Sequence, residues 1–162
     1  MDFEQTRKAY RSQEMLVLIL MVISLPLFGF VYLYYNSGNL DWNLPKLPDL
    51  IHGLLVGIGV GLLIGQYLIF HNKLKVAKSA EELFLKLDVY IKATRKRFLI
   101  LFAISLISTI GLLFFKSAFY IVIFAVTLLF YSLAKPTPDR IKRLLKLNKE
   151  DAEIVKDIAR PS

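Results

Sequence analysis

The 162-residue chain has no cysteine, and its histidines number two, His52 and His71. Without thiols there is no disulfide, no thiolate nucleophile, no iron–sulfur cluster and no cysteine-based zinc site. Two histidines are too few for a self-contained histidine metal site. They stand 19 residues apart on one apolar helical stretch, which puts them near its opposite ends. Acidic groups are missing where they would matter most. None of the 13 acidic residues falls within a long apolar run, and the nearest, Glu14 and Asp49, lie at the edges. The chain also lacks a phosphate-cradling Walker loop and any serine, histidine and aspartate arrangement. No enzymatic activity, cofactor or metal is expected.

What is present is apolar length. Apolar residues make up 56% of the chain and charged ones 21%, and the two alternate in blocks. A helix needs about 20 apolar residues to cross a hydrocarbon core of about 30 Å. Four stretches qualify or nearly so: 15–35, 50–70, 98–115 and 118–134. Residues 98–134 as one helix would be about 55 Å long, beyond any bilayer, so a tight hairpin at Lys116-Ser117 is expected. The predicted fold is all-α: a four-span polytopic membrane domain over 15–134 with cytoplasmic helical extensions. It follows an N-terminal arm, 1–14, and precedes an amphipathic tail, 135–162. The segment 71–97 is a cytoplasmic helical insertion.

Orientation follows from the lysines and arginines beside the spans, which favour the cytoplasmic side. The arm carries three, the 71–97 segment eight and the tail eight, so 19 of the 21 basic residues lie on one side. Both termini are therefore expected in the cytoplasm, facing anionic lipid headgroups. The net charge of +8 is explained by this bias, and no base-stacking or groove-reading motif points to nucleic acid. The first run continues past Phe30 to Tyr35 with no small-residue cleavage pattern after it, as in a retained anchor. Pro26 should kink that helix. Tyr32, Tyr34, Tyr35 and Trp42 suit the headgroup level.

Five of the eight glycines lie in the second span, and Gly53, Gly57, Gly61 and Gly65 recur every four residues. Such a stripe allows close helix packing where hydrophobicity does not distinguish lipid from protein. Packing within the chain is the preferred reading, and packing between protomers the alternative. His52, Gly59 and Gln66, seven apart, form a second line opposite the stripe. This line is either a set of satisfied structural groups or the lining of a pore. The Gly57-x-Gly59-x-Gly61 spacing resembles the rotor proteolipids of rotary ATPases, but those carry ions on an intramembrane carboxylate that this chain lacks.

Beyond the second span, Ser79-Ala80-Glu81-Glu82 has capping-box spacing, which predicts a helix starting there. An apolar seam of three- and four-residue steps then runs from Phe84 through Leu87, Ile91, Thr94, Phe98, Leu101, Ser105, Ser108 and Leu112 to Phe115. One helix crossing the membrane boundary is expected, with Arg95, Lys96 and Arg97 at the headgroups. The alternative is a segment 81–97 lying flat on the lipid. In the tail, Thr137 and Asn148 are placed to cap two short helices, with Pro138 at the first position of one of them. Their apolar sides call for a docking surface on lipid, on the 80–97 stalk or on a partner.

Leu87-Asp88-Val89-Tyr90-Ile91 and Lys135-Pro136-Thr137-Pro138-Asp139-Arg140-Ile141 are similar to segments of small four-span proteins of Bacteroidota. The resemblance covers the second half of the chain and carries architecture but no activity; the location expected is a bacterial inner membrane. The function expected is a non-enzymatic integral membrane subunit that self-assembles or supports a larger membrane complex. The alternative is a small pore or transporter lined by the second span.

Overall fold

The structure is a computed structural model that describes residues 2–161. Its described residues form six helices and no strand: α1 Phe3–Asn36, α2 Asp49–Ser79, α3 Leu83–Phe115, α4 Ala118–Ala134, α5 Pro138–Leu145 and α6 Lys149–Ala159. Three of them, α1 to α3, are long and apolar enough to cross a membrane. A fourth span arises when α4 and α5, on either side of a short break, are taken together. The most apolar windows of α1, α2 and α3 are only 28%, 22% and 39% buried by the chain itself. Side chains such as Leu18, Leu33, Leu54, Ile64, Phe119 and Leu129 stay more than half exposed. Water would penalise so large an apolar surface, so the natural solvent for it is hydrocarbon. The fold is all-helical, with three to four helices long and apolar enough to span a membrane, consistent with a multi-pass membrane protein.

The helices are shared between two compact units, one comprising residues 19–66 and 98–133, the other 1–18, 67–97 and 134–162. In the first unit the core is built by Phe28, Val31, Leu112, Tyr120 and Phe124, with Leu40 reaching in from the loop after α1. Phe28 and Phe124 stack face to face, with centroids 3.8 Å apart and planes 8° from parallel. The α3 seam is buried here at Phe98, Leu101, Ser105, Ser108 and Leu112. Helix α1 continues without a break through Pro26, whose missing N–H leaves the Val22 carbonyl without its usual helical donor. Trp42 packs against Phe30 and Tyr34, with centroid distances of 6.0 and 5.2 Å. That arrangement forms an aromatic group at the end of α1.

The second unit has its own core of Tyr10, Phe70, Leu74, Ala77, Leu87, Tyr90, Ile91, Ile141, Leu145, Val155 and Ile158, among others. The tail therefore docks on the α2 and α3 extensions. On the 81–97 segment, Leu87, Tyr90 and Ile91 belong to one core with the tail residues Ile141, Leu145, Val155 and Ile158. Both tail caps form as the spacing predicts. Thr137 accepts from the Arg140 N–H with Pro138 opening α5, and Asn148 accepts from the Asp151 N–H at 2.7 Å. Lys146, with φ 52°, ends α5 in the left-handed conformation that terminates helices.

The helix start at Ser79 is corrected. Ser79 belongs to the last turn of α2, where its hydroxyl donates to the Val76 carbonyl at 2.8 Å, and α3 begins at Leu83. A serine hydroxyl can satisfy a carbonyl at a helix end as readily as an amide at a helix start, so the motif alone did not decide.

Candidate functional site

On α2 the two lines of the sequence separate cleanly, but the glycine stripe does not face the bundle. A Cβ built on Gly53, Gly57, Gly61 or Gly65 meets nothing within 4 Å outside its own stretch of helix. Packing within the chain, the preferred expectation for these four glycines, is therefore corrected. The inward line is the opposite one. Gly59 faces Ile123 at 3.4 Å and Ile107 at 4.0 Å, and Gln66 is 1% exposed. The physical reason is the cost of polar groups in hydrocarbon. Imidazole and amide must turn toward partners, and a stripe 180° away then turns outward.

His52 finds its partner in the same unit. Its Nδ1 lies 2.8 Å from the Tyr120 hydroxyl, which also reaches the His52 carbonyl at 3.3 Å. The Phe115 ring lies 5.0 Å from the imidazole centroid. Gln66 donates to the Leu63 carbonyl at 3.1 Å. Both groups are thus engaged inside the chain.

Two features of this unit carry no strong signal in the sequence. One is a hydroxyl clasp linking α1, α3 and α4. Ser24 donates to the Leu20 carbonyl at 2.7 Å, and its oxygen lies 3.0 Å from Ser105 Oγ and 3.3 Å from the Tyr131 hydroxyl. All three residues are at most 1% exposed. Ser105 belongs to the expected seam, but its partners on α1 and α4 are isolated residues without periodicity. The other is Gly111, where an added Cβ would overlap the Tyr120 ring. This is the one truly tight glycine contact in the chain. Its only sequence hint is a position three residues after Ser108, beside the small-residue part of the seam.

In the other unit, Arg97 is corrected. Arg95 and Lys96 are exposed, whereas Arg97 is 4% exposed. Its guanidinium sits 4.6 Å from the centre of the Phe70 ring, a cation–π contact. Burial first, and then the neighbouring Arg140 cation, lower its pKa to about 10, so it stays charged at neutral pH. A helix turns every residue of a basic triplet to a different direction, and Arg97 takes the seam side. Burial also raises the Tyr90 hydroxyl above the ordinary tyrosine value. The Tyr10 hydroxyl is raised by burial and then by Glu14, and donates to the Pro136 carbonyl at 3.1 Å. Arg7 and Arg11 both donate to the Arg160 carbonyl, at 3.3 and 3.1 Å, tying the start of α1 to the end of α6.

Among the described residues no three histidine, aspartate or glutamate side chains gather where they could hold a metal ion. No protein-family model matches this sequence, and comparison with curated proteins and with solved structures gives no significant match.

Proposed function

We propose that the chain is a non-enzymatic subunit of a bacterial inner membrane. It assembles, with copies of itself or with a larger membrane protein, through the outward glycine face of α2. The observation that carries this reading is the open space over Gly53, Gly57, Gly61 and Gly65. Four small residues in register expose backbone along one side of a helix that is otherwise Leu- and Ile-rich. In lipid, such a strip gains most by closing against another helix, through dispersion contacts that bulky side chains prevent. The opposed line of His52, Gly59 and Gln66 is taken up by contacts inside the chain, so the arrangement supports assembly over conduction.

Gly57→Leu and Gly61→Leu test it. Each adds a side chain into open space, so the purified variants should keep the wild-type thermal midpoint and elute from a detergent column as a smaller species. Wild-type elution would mean that the stripe faces lipid, and loss of folded protein would mean that it packs inside the chain. Either result sinks the assembly reading. Flux through liposomes that Gln66→Leu abolishes would establish the channel instead.

The same reading places both termini in the cytoplasm and four spans in the bilayer. At 17 residues α4 is about 25 Å long, and modest local thinning of the bilayer accommodates it. Because the chain has no cysteine, single cysteines report topology directly. In intact cells Ser37→Cys and Ser117→Cys should react with an impermeant maleimide and Ser79→Cys should not. Labelling at position 79 would refute the orientation.

A further inference from the structure

The loop after α1 and the end of α3 border a cavity of about 320 Å³, within the unit of residues 19–66 and 98–133. That volume is at the lower end of small-molecule sites, about 300–1,000 Å³. Lys46 from the loop and Lys116 from the α3–α4 turn both line it, together with Asp41. Of the 21 basic residues, these two are the ones outside the arm, the 71–97 segment and the tail. The fold thus brings the two isolated lysines to one cavity. The ion pairs among the described residues are Asp88 with Lys92, Glu153 with Lys156 and Asp157 with Arg160, and none includes Asp41, Lys46 or Lys116. Trp42, 40% exposed, and the half-buried Leu113 and Phe114 add apolar wall. Asn43, with φ 52°, and Lys116, with φ 51°, are cavity residues and two of the three described non-glycine residues with positive φ. The Lys116 N–H donates to the Leu112 carbonyl at 3.0 Å, at a helix end where glycine is the usual residue. Lysine holds that conformation at a cost of about 1–2 kcal/mol.

We infer that this cavity binds the phosphoethanolamine headgroup of a phospholipid, with the phosphate between Lys46 and Lys116 and the ammonium on Asp41. Two lysines attract a phosphate as point charges, but a carboxylate on the same wall repels a ligand that is only anionic. A headgroup that carries an ammonium as well turns that carboxylate into an acceptor for its three N–H donors. The level is right for a headgroup. Trp42 belongs to the aromatic group with Phe30 and Tyr34 at the end of α1, and such rings collect where hydrocarbon meets water. Leu113 and Phe114 then offer apolar contact to the first methylenes of the lipid chains. This placement rests on the membrane reading above, but not on assembly through α2.

Trp42 is the single tryptophan of the chain, so its fluorescence reports this cavity directly. The full chain in dodecyl maltoside is titrated with a short-chain phosphatidylethanolamine, and separately with phosphatidylglycerol and diacylglycerol of the same chain length. Emission should change saturably with phosphatidylethanolamine, less with phosphatidylglycerol and not at all with diacylglycerol. Lys46→Gln and Lys116→Gln should each weaken the response roughly threefold to tenfold, between the loss of an exposed ion pair and that of a charged hydrogen bond. Asp41→Asn should erase the preference for phosphatidylethanolamine over phosphatidylglycerol. Lys73→Gln, exposed on α2 in the other unit, should change nothing. A response to phosphatidylglycerol, diacylglycerol or inorganic phosphate as strong as that to phosphatidylethanolamine would overturn the proposal. So would a response that survives all three cavity variants or is lost equally in Lys73→Gln. If emission is flat, the thermal midpoint replaces it as the readout, and a midpoint that phosphatidylethanolamine does not raise overturns the proposal. A chain that labels at Ser117→Cys from outside yet gives no response by either readout loses the site and keeps its spans.

Discussion

Gly111→Ala should destabilise the protein by about 1–3 kcal/mol, and Gly111→Leu should leave little folded material. The added methyl would occupy the space of the Tyr120 ring, and the ring has nowhere to move. Tyr120 is 0% exposed, packs in the core with Phe28, Leu112 and Phe124, and is tethered at its hydroxyl by His52. To admit a Cβ, α3 and α4 must separate, which disturbs the core that Tyr120 shares with Phe28, Leu112 and Phe124. The comparison with α2 makes the test specific. Gly57→Ala and Gly61→Ala place the same methyl in open space and should stabilise the protein by up to about 1 kcal/mol, in the direction of helix propensity. Thermal unfolding in one detergent ranks the three variants. Equal midpoints for Gly111→Ala and Gly57→Ala would show that the Tyr120 contact does not constrain the bundle.

The second large effect concerns the tail. Val155 and Ile158 of α6 are each 1% exposed, in the core formed with the α2 and α3 extensions. Val155→Asp should cost on the order of 3–5 kcal/mol, the penalty of a buried charge without a partner. That exceeds what two short helices can lose while staying docked, so α6 should detach and α5 should loosen with it. Limited trypsin digestion reads this directly. Cleavage after Arg140 and Arg143, within the docked helix α5, should be slow in the wild type and early in Val155→Asp. Glu150→Gln, on the exposed first turn of α6, removes no cleavage site and should leave the digestion pattern unchanged. Wild-type protection in Val155→Asp would mean that the tail is held by its surface contacts rather than by its apolar side.

These expectations mark where the sequence was legible. Long apolar runs can only be stable as helices in lipid, so α1 to α4 were readable from composition and length. The α3 seam was readable because three- and four-residue steps bring side chains to one face regardless of what covers them. The tail caps were readable because they are local, each needing a side chain only three residues from its target. The direction of the glycine stripe was not. Periodicity says that α2 has two special faces but does not say which one meets α3 and α4.

The sequence by itself determined an all-helical, membrane-compatible chain, the approximate extents of its long helices, and an amphipathic tail that needed a docking surface. Each of these follows from interactions within a turn or two of helix, or from the solvent a segment can tolerate. Only the tertiary structure decided that Gly59 and Gln66 turn inward while Gly53, Gly57, Gly61 and Gly65 turn outward. It alone paired Gly111 with Tyr120, joined Ser24 to Ser105 and Tyr131, and buried Arg97 over Phe70. Those choices link residues 9 to 107 positions apart in the chain. They turn on side-chain volume and unmet hydrogen bonds across helices, which no spacing along one helix encodes.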